Sequence, residues 1–259
     1  MLIAVTRPVS PTLADCELTH LARERVDVAR AAAEHAAYEE ALRALGATLV
    51  RAPAAPDLPD AVFVEDAALV LDEIAVITRP GVPSRRPETE AIAELLGRYR
   101  SLARIEAPGT LEGGDVLRVG RTLFVGLSSR TNREAMTQLA ALLGPWSYQL
   151  IPVEVSGCLH LKSAVTEVAD GLLVINPRWV RPEAFAPLEV VPVAAEEPGA
   201  ANALRLAGAV VYPEHHPRTA RRLEQAGVRV VPVPCAELAK AEGGVSCCSL
   251  VFDADIVAS

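Results

Sequence analysis

Gly243-Gly244-Val245-Ser246-Cys247-Cys248-Ser249-Leu250-Val251-Phe252 stands near the end of a chain of 259 residues. It is a glycine pair followed by an apolar run that reads as a strand over 247–252. The glycines free the backbone from ordinary φ/ψ limits at the mouth of the strand. No partner strand or helix follows it. Both stand at the other end of the chain: a strand over 1–6, a helical period over 17–46 that stops at Gly46, and a strand over 48–50 before Pro53. Leu18, Leu21, Val28, Ala32, Leu42 and Leu45 are the expected inner positions of that helix. The fold turns on whether the two ends meet.

Between them one pattern recurs. The first unit pairs runs 61–71 and 74–78 as a hairpin, opens a helix at Pro87-Glu88 that runs to Leu96, and returns as a strand over 102–105. The second has strands over 116–119 and 122–125, a helix over 132–143 and a strand over 148–151. The third has strands over 163–168 and 171–175, a short segment around Phe185 and a strand over 188–191. The fourth has strands over 203–206 and 209–212, a helix over 217–226 and a strand over 228–231. A proline closes each unit (Pro53, Pro108, Pro152, Pro192, Pro232), a spacing associated with radial or stacked repeats. Five units, the last completed by the amino terminus, predict an α/β ring in which loops converge on a central channel. An open α/β sandwich of the same hairpin–helix–strand units is the alternative.

Composition narrows the class of function. With 51% hydrophobic residues the chain reads as a folded globule able to bury a large core, and we expect one catalytic domain over 1–259. No signal peptide or membrane-spanning run is visible, and five cysteines, an odd number, argue for a reducing compartment. The expected location is the cytoplasm. A formal net charge of −8 argues against nucleic acid or an anionic membrane as partner and suits a small cation. Exposed hairpin edges leave a homodimer open.

The residues that carry chemistry sit at the hairpin entrances. Pro59–Asp66 sets Asp60, Glu65 and Asp66 beside a Val/Phe strand, where period-2 alternation puts Asp60, Val62, Val64 and Asp66 on one face. Leu111-Glu112-Gly113-Gly114-Asp115 repeats the device of an acid and a flexible pair before a strand. Gly157-Cys158-Leu159-His160-Leu161-Lys162-Ser163 places a histidine between leucines. Glu112, His160 and Cys247 thus occupy equivalent corners of different units. Together they suit an activated thiolate, although two buried structural thiols and a structural histidine fit each motif taken alone. Arg85 and Arg130 lie in loops after the first two hairpins, where a guanidinium fork could take a carboxylate.

These blocks, with Ile77–Arg86, Phe124–Asn132, Ser246–Ser249 and the segment Glu17–Arg30, resemble the dimethylarginine dimethylaminohydrolase family of the guanidino-group-modifying (pentein) superfamily. The matches run in order along almost the whole chain. The resemblance implies a five-bladed α/β propeller of pseudo-five-fold ββαβ units around a central channel. It implies hydrolysis of Nω-methylated arginines to citrulline and a methylamine, with no metal or organic cofactor. Cys247 would be the nucleophile and His160 the general acid and base. Glu112, Asp60 and Asp66 would hold the guanidinium, and Arg85 and Arg130 the α-carboxylate. Leu18 would belong to a lid, Ser163 and the Ala241 carbonyl would line the site, and Glu65 would orient its neighbours. Zinc on Cys247, Cys248 and His160 would be adventitious and inhibitory. Two rival functions keep the fold: arginine deiminase-like hydrolysis of another guanidine, and a non-catalytic guanidine-binding sensor.

Overall fold

The two ends of the chain pair. The computed structural model describes residues 1–254, so residues 255–259 of the expected domain lie outside the described residues. In it β1 (Leu2–Thr6) runs antiparallel to the last strand, with Ile3 opposite Phe252 and Val5 opposite Leu250. The backbone N–H of Ala254 donates to the carbonyl of Met1 at 2.8 Å. After α1 (Val28–Ala44), β2 (Thr48–Arg51) returns parallel to β1.

The remaining units repeat this plan. They are β3 (Ala68–Val70), β4 (Ile74–Ile77), α2 (Glu88–Leu96) and β5 (Ser101–Arg104); then β6 (Val116–Val119), β7 (Thr122–Leu127), α3 (Arg133–Leu143) and β8 (Gln149–Glu154). The third is the single turn α4 (Leu161–Ala164), β9 (Val165–Ala169), β10 (Leu172–Ile175) and β11 (Glu189–Pro192). The fourth is β12 (Leu204–Leu206), β13 (Ala209–Pro213), α5 (Pro217–Gln225) and β14 (Val230–Val233), followed by the turn α6 (Ala236–Ala239) and β15 (Leu250–Asp253). Each of the five sheets has three strands: an inner one antiparallel to the middle, and an outer one parallel to it. The parallel pair needs a crossover, which the unit's helix supplies; in the third unit a 3-10 turn, Pro182–Phe185, suffices.

The inner strands β3, β6, β9, β12 and β15 together line a cavity of about 300 Å³, with Glu65, Lys162 and Ser246 also on its wall. This is the central channel, and the ring is a five-bladed α/β propeller. Its core is five apolar seams, one between each blade and the next. For example, β7 packs Phe124 against Phe185 of the third blade, and β10 packs Val174 against Tyr212 and Leu223 of the fourth. Outer strands are sheet edges, so Pro152, Pro192 and Pro232 lie within β8, β11 and β14, where a missing N–H leaves no inner ladder broken. The prolines therefore sit inside three of the strands they were expected to close.

Several local expectations fail; in the third unit the strand expected from residue 163 begins at Val165, after the turn α4. The first helix starts at Val28, not residue 17, capped by the Asp27 carboxylate accepting from the Arg30 N–H at 3.0 Å. Its buried face is Ala31, Glu34, His35, Tyr38, Glu39 and Leu42, while Ala32 and Leu21 are exposed. Distant partners satisfy most of that polar stripe: Glu34 accepts from the Glu237 N–H, Tyr38 bonds Ser249, and Glu39 holds Thr6 and Arg51, while Glu34 Oε1 and His35 Nε2 have no hydrogen-bond partner among the described residues. Residues 61–67 are not extended; a 3-10 turn, Val64–Ala67, carries Glu65 and Asp66, which dissolves the alternation proposed for Asp60 to Asp66. The last strand begins at Leu250, leaving Cys247 and Cys248 in the loop before it.

Candidate active site

Every blade delivers a loop to one end of the channel, and those loops build a narrow cleft of about 10 Å³. Asp60, Phe63, Asp66, Arg85, Arg130, Leu159, His160, Ala241 and Cys247 line it, with Glu17, Glu242 and Gly243 at its edges. Glu112 stands directly behind, fully buried. A cavity of about 330 Å³ adjoins the cleft, shares Cys247 with it and carries Ser163 on its wall. A larger cavity, about 730 Å³, opens between the second and third blades around Ser128, Arg178 and Trp179 and touches none of the predicted site residues.

The carboxylates are placed by turns. Asp66, on the 3-10 turn of the first blade, accepts from the Gly114 N–H at 3.0 Å and from Arg85 Nη1 at 2.8 Å. Glu112 is extended at the entrance to the second hairpin; its Oε1 accepts from the Gly81 N–H at 3.0 Å and its Oε2 lies 2.6 Å from His160 Nε2. A Cβ on Gly114 would fall 2.7 Å from His160 Nδ1 and 2.8 Å from Asp66 Oδ1, so only glycine lets these groups close up. Asp60 accepts from the Glu17 N–H at 3.1 Å, and burial raises its pKa against the opposing pull of Arg85.

His160 caps the single turn α4 in an extended conformation, and Asp115 fixes the next residue by accepting from the Leu161 N–H at 2.9 Å. Burial lowers the imidazolium pKa, but Asp66 and Glu112 outweigh it and lift it from 6.5 to about 9. The same pairing works in reverse on Asp66: burial raises it, while His160 and Arg85 pull it down to about 2. Arg85 and Arg130 are both buried. Arg85 is matched by Glu88 at 2.9 Å and Asp66 at 2.8 Å, and lies 3.8 Å from Glu112. Arg130 reaches Glu112 at 3.4 Å and the Thr19 hydroxyl at 2.9 Å.

Asp66, Glu112 and His160 also form the one group of three metal-capable side chains found among the described residues. In the substrate-free cleft Arg85 bonds Asp66 and His160 bonds Glu112, so a metal ion there would have to displace both.

Cys247 is buried on the cleft; its carbonyl accepts from the Glu65 N–H at 3.1 Å, and Ser246 Oγ lies 4.0 Å from its sulfur. Burial, with Glu65 and Asp66 nearby, pushes its thiol up to about 12. Cys248 turns into the core, where its sulfur approaches the Gly244 carbonyl at 3.4 Å. Neither Gly243 nor Gly244 takes a left-handed φ; that conformation belongs to Glu242, at φ 56°. The glycine pair serves close packing instead, since a Cβ on Gly243 would fall 2.2 Å from the Phe63 ring and one on Gly244 2.3 Å from Asn202 Oδ1.

The cleft thus gathers seven of the predicted residues: Asp60, Asp66, Arg85, Arg130, His160, Ala241 and Cys247. Glu65 lies on the channel side, bonded to Lys162 at 2.5 Å and to Ser246 at 2.8 Å. Leu18 sits in the loop over residues 17–27 and packs on the apolar seam around α1. Sequence reasoning passed over Glu242, whose carboxylate accepts from the N–H groups of Thr19, His20 and Leu21 at 3.0, 2.5 and 2.6 Å and so holds this loop across the cleft. Asp115 and Glu88 were missed as well. Only the acid after Gly113-Gly114 carried a local signal.

Residues 18–183 match the family model described as N,N dimethylarginine dimethylhydrolase, eukaryotic. The chain is 41% identical to an N(G),N(G)-dimethylarginine dimethylaminohydrolase of Streptomyces coelicolor, over 95% of each chain. It is 37% identical to the protein of the same name from Pseudomonas aeruginosa, covering 87% of this chain and 90% of that one. A cysteine-to-serine mutant of the Pseudomonas aeruginosa protein, solved with citrulline, superposes with a TM-score of 0.92 at 35% identity, over 96% of this chain and 98% of that one. The N-terminal domain of ArgZ, a cyanobacterial arginine dihydrolase, shares the fold with a TM-score of 0.86 at 20% identity. The family model and these relatives together show that the chain belongs to the dimethylarginine dimethylaminohydrolase family.

Proposed function

We propose that this protein hydrolyses Nω-methylated arginines, asymmetric dimethylarginine and monomethylarginine, to L-citrulline and dimethylamine or methylamine. The observation that carries the reading is a buried thiol sharing an acid-lined cleft with a histidine clamped by a carboxylate at 2.6 Å, in a chain of this family. Net negative charge around the cleft suits a guanidinium, for which Asp60, Asp66 and Glu112 are the counterions. Arg85 and Arg130 are the groups suited to the substrate's α-carboxylate, and the Ala241 carbonyl to its amino group.

Free of substrate, a thiol with a pKa near 12 beside an imidazolium with a pKa near 9 is protonated at neutral pH. A bound guanidinium brings positive charge to the sulfur and lowers its pKa, releasing the thiol proton to solvent. The thiolate attacks the guanidinium carbon and forms a C–S bond. His160 then protonates the methylated nitrogen, the C–N bond breaks, and the amine departs, leaving a covalent thiouronium on Cys247. The neutral imidazole next takes a proton from water, whose oxygen attacks the same carbon. Collapse breaks the C–S bond, the hydroxyl proton of the adduct passes to the departing sulfur, and the thiol returns with neutral citrulline.

Substrate entry requires the 17–27 loop to lift, because the closed cleft holds no more than about one water. Leu18 moves with that loop, and Ser163 faces the adjoining cavity, where a departing amine has room. The protein acts as a single catalytic domain and the substrate as its small cationic partner; free arginine is the competing substrate. Five free cysteines support a cytoplasmic location, and no helix of the described residues is long and apolar enough to cross a membrane. Outer-strand edges such as β11, where Val190 is exposed, are where a second subunit would pair.

Citrulline release from Nω,Nω-dimethylarginine and from arginine, with a Cys247→Ser control, tests the reading. Release from the methylated substrate, abolished in the control, is expected. Faster release from arginine would overturn the substrate, and unaltered release by the control would overturn the nucleophile.

A further inference from the structure

Four of the five blades bring a charged or nucleophilic side chain to the entrance of the inner hairpin: Asp66 before β3, Glu112 before β6, His160 before β9 and Cys247 before β15. The corresponding corner of the fourth blade, just before β12, holds Asn202. It is buried, and its carboxamide is fully engaged. Oδ1 accepts from the Ser246 N–H at 3.0 Å, while Nδ2 donates to the Ser246 hydroxyl at 3.0 Å and to the Lys162 carbonyl at 3.1 Å. The partners dictate which way the amide points, since an N–H can only donate and a carbonyl only accept.

Ser246 precedes Cys247, and Lys162 lies two residues beyond His160. One side chain therefore ties the segment of the nucleophile to that of the general acid. The tie is itself held firmly. Thr166 Oγ1 donates to the Ala201 carbonyl at 2.7 Å, and Tyr212 OH to that of Ala200 at 2.5 Å. The Ser246 hydroxyl passes the connection on to Glu65 at 2.8 Å, which Lys162 Nζ also bonds. Gly244 leaves room for the carboxamide, because a Cβ there would overlap Asn202 Oδ1 at 2.3 Å.

We propose that Asn202 is a positioning residue that sets the distance between Cys247 and His160 by bonding Ser246 and Lys162 at once. The inference rests on the reading of Cys247 and His160 as the reacting pair. Asn202 borders the adjoining cavity but not the cleft, and it touches none of the carboxylates and arginines assigned to the substrate, so its loss should act on turnover more than on binding.

The test uses Asn202→Ala, Asn202→Asp, Gly244→Ala and the double variant Asn202→Ala/Gly244→Ala, with melting temperature as the check on folding. Misplacing reacting groups by about 1 Å lowers rates on the order of 100-fold. Asn202→Ala is therefore expected to lose about 10- to 100-fold in kcat on dimethylarginine, with KM within about threefold of wild type. Asn202→Asp keeps the shape and the acceptor for the Ser246 N–H but turns a carboxylate oxygen onto the Lys162 carbonyl, so it is expected to melt below wild type and to lose kcat as Asn202→Ala does. Gly244→Ala, which displaces the carboxamide, reproduces the loss, and the double variant is no worse than Asn202→Ala because the clash is gone.

A second readout does not depend on the substrate: the pH profile of Cys247 alkylation by iodoacetamide, followed by mass spectrometry. It should move to higher pH in Asn202→Ala, because the Ser246 hydroxyl that lies 4.0 Å from the sulfur and favours the thiolate loses the carboxamide that holds it. If wild type released no citrulline, the methylarginine reading would fail while a moved alkylation profile still supported the tie. An unmoved profile, or kcat within twofold of wild type in both Asn202 variants, overturns it. Fully additive losses in the double variant overturn it as well.

Discussion

Glu112→Gln isolates the charge that keeps His160 protonated. The substitution is nearly isosteric: the new carboxamide oxygen can still accept from the Gly81 N–H, now bonded at 3.0 Å. Its –NH2 group would then face His160 Nε2 across the present 2.6 Å contact. A carboxylate there favours the imidazolium; an amide donor favours the neutral ring, whose nitrogen can accept.

In the wild type the imidazolium is raised from 6.5 to about 9, worth roughly 3 kcal/mol at 1.36 kcal/mol per unit. Asp66 and Glu112 are the main contributors, so removing Glu112 should bring the value down by about one to two units. The direct assay is an NMR titration of the His160 ring, identified against His160→Gln. Activity reports the same group through kcat, which reflects the substrate complex: with the thiol already ionised by the bound guanidinium, the limb that falls as the general acid is lost should move from about pH 9 toward pH 7–8.

Linkage fixes a further sign. A folded-state pKa raised above 6.5 supplies stability that is fully present below that pH and is lost as pH rises through about 9. Glu112→Gln should flatten that loss. If the His160 titration and the descending limb both stay at 9, Glu112 does not set the charge of the histidine and the proposed division of labour is wrong.

Glu242→Ala removes the acceptor for three consecutive N–H groups of the 17–27 loop and should raise KM about tenfold while leaving kcat within a few-fold. Amide hydrogen exchange at Thr19 to Leu21 should accelerate in parallel; unchanged exchange would show that the loop is held by other means. Tyr38→Phe strands the Ser249 hydroxyl, now bonded at 2.6 Å in the core, and should cost about 1–3 kcal/mol in urea unfolding with activity retained. A loss of activity at full stability would instead give Tyr38 a part in the chemistry. Asp115→Asn should lower kcat with KM nearly unchanged, because Asp115 holds the Leu161 N–H and the Ser128 hydroxyl beside His160; a rise in KM alone would contradict that placement.

The ring was legible in the chain because it is built from local signals repeated. Glycine and proline punctuation and the recurring order of hairpin, helix and strand need no distant partner to be read, and a terminal strand lacking its mates points to the opposite terminus. The corner motifs around Glu112, His160 and Cys247 were legible for the same reason: each is a short block at the mouth of a strand.

What the tertiary structure alone decided is every interaction that crosses blades. The inner face of α1 could not be found from apolar periodicity, because Glu34 and Tyr38 are buried only by virtue of Glu237 and Ser249, more than 200 residues away. The bend at residues 61–67, which breaks the apparent alternation, is bonded to the carbonyl of Cys247. Asn202 and Glu242 belong to no motif, and their partners lie in other blades. A polar side chain earns burial only from partners that satisfy it, and those partners become neighbours only when the ring closes. Local sequence therefore determined which blades form and where their reactive corners lie, while closure determined which of those corners touch.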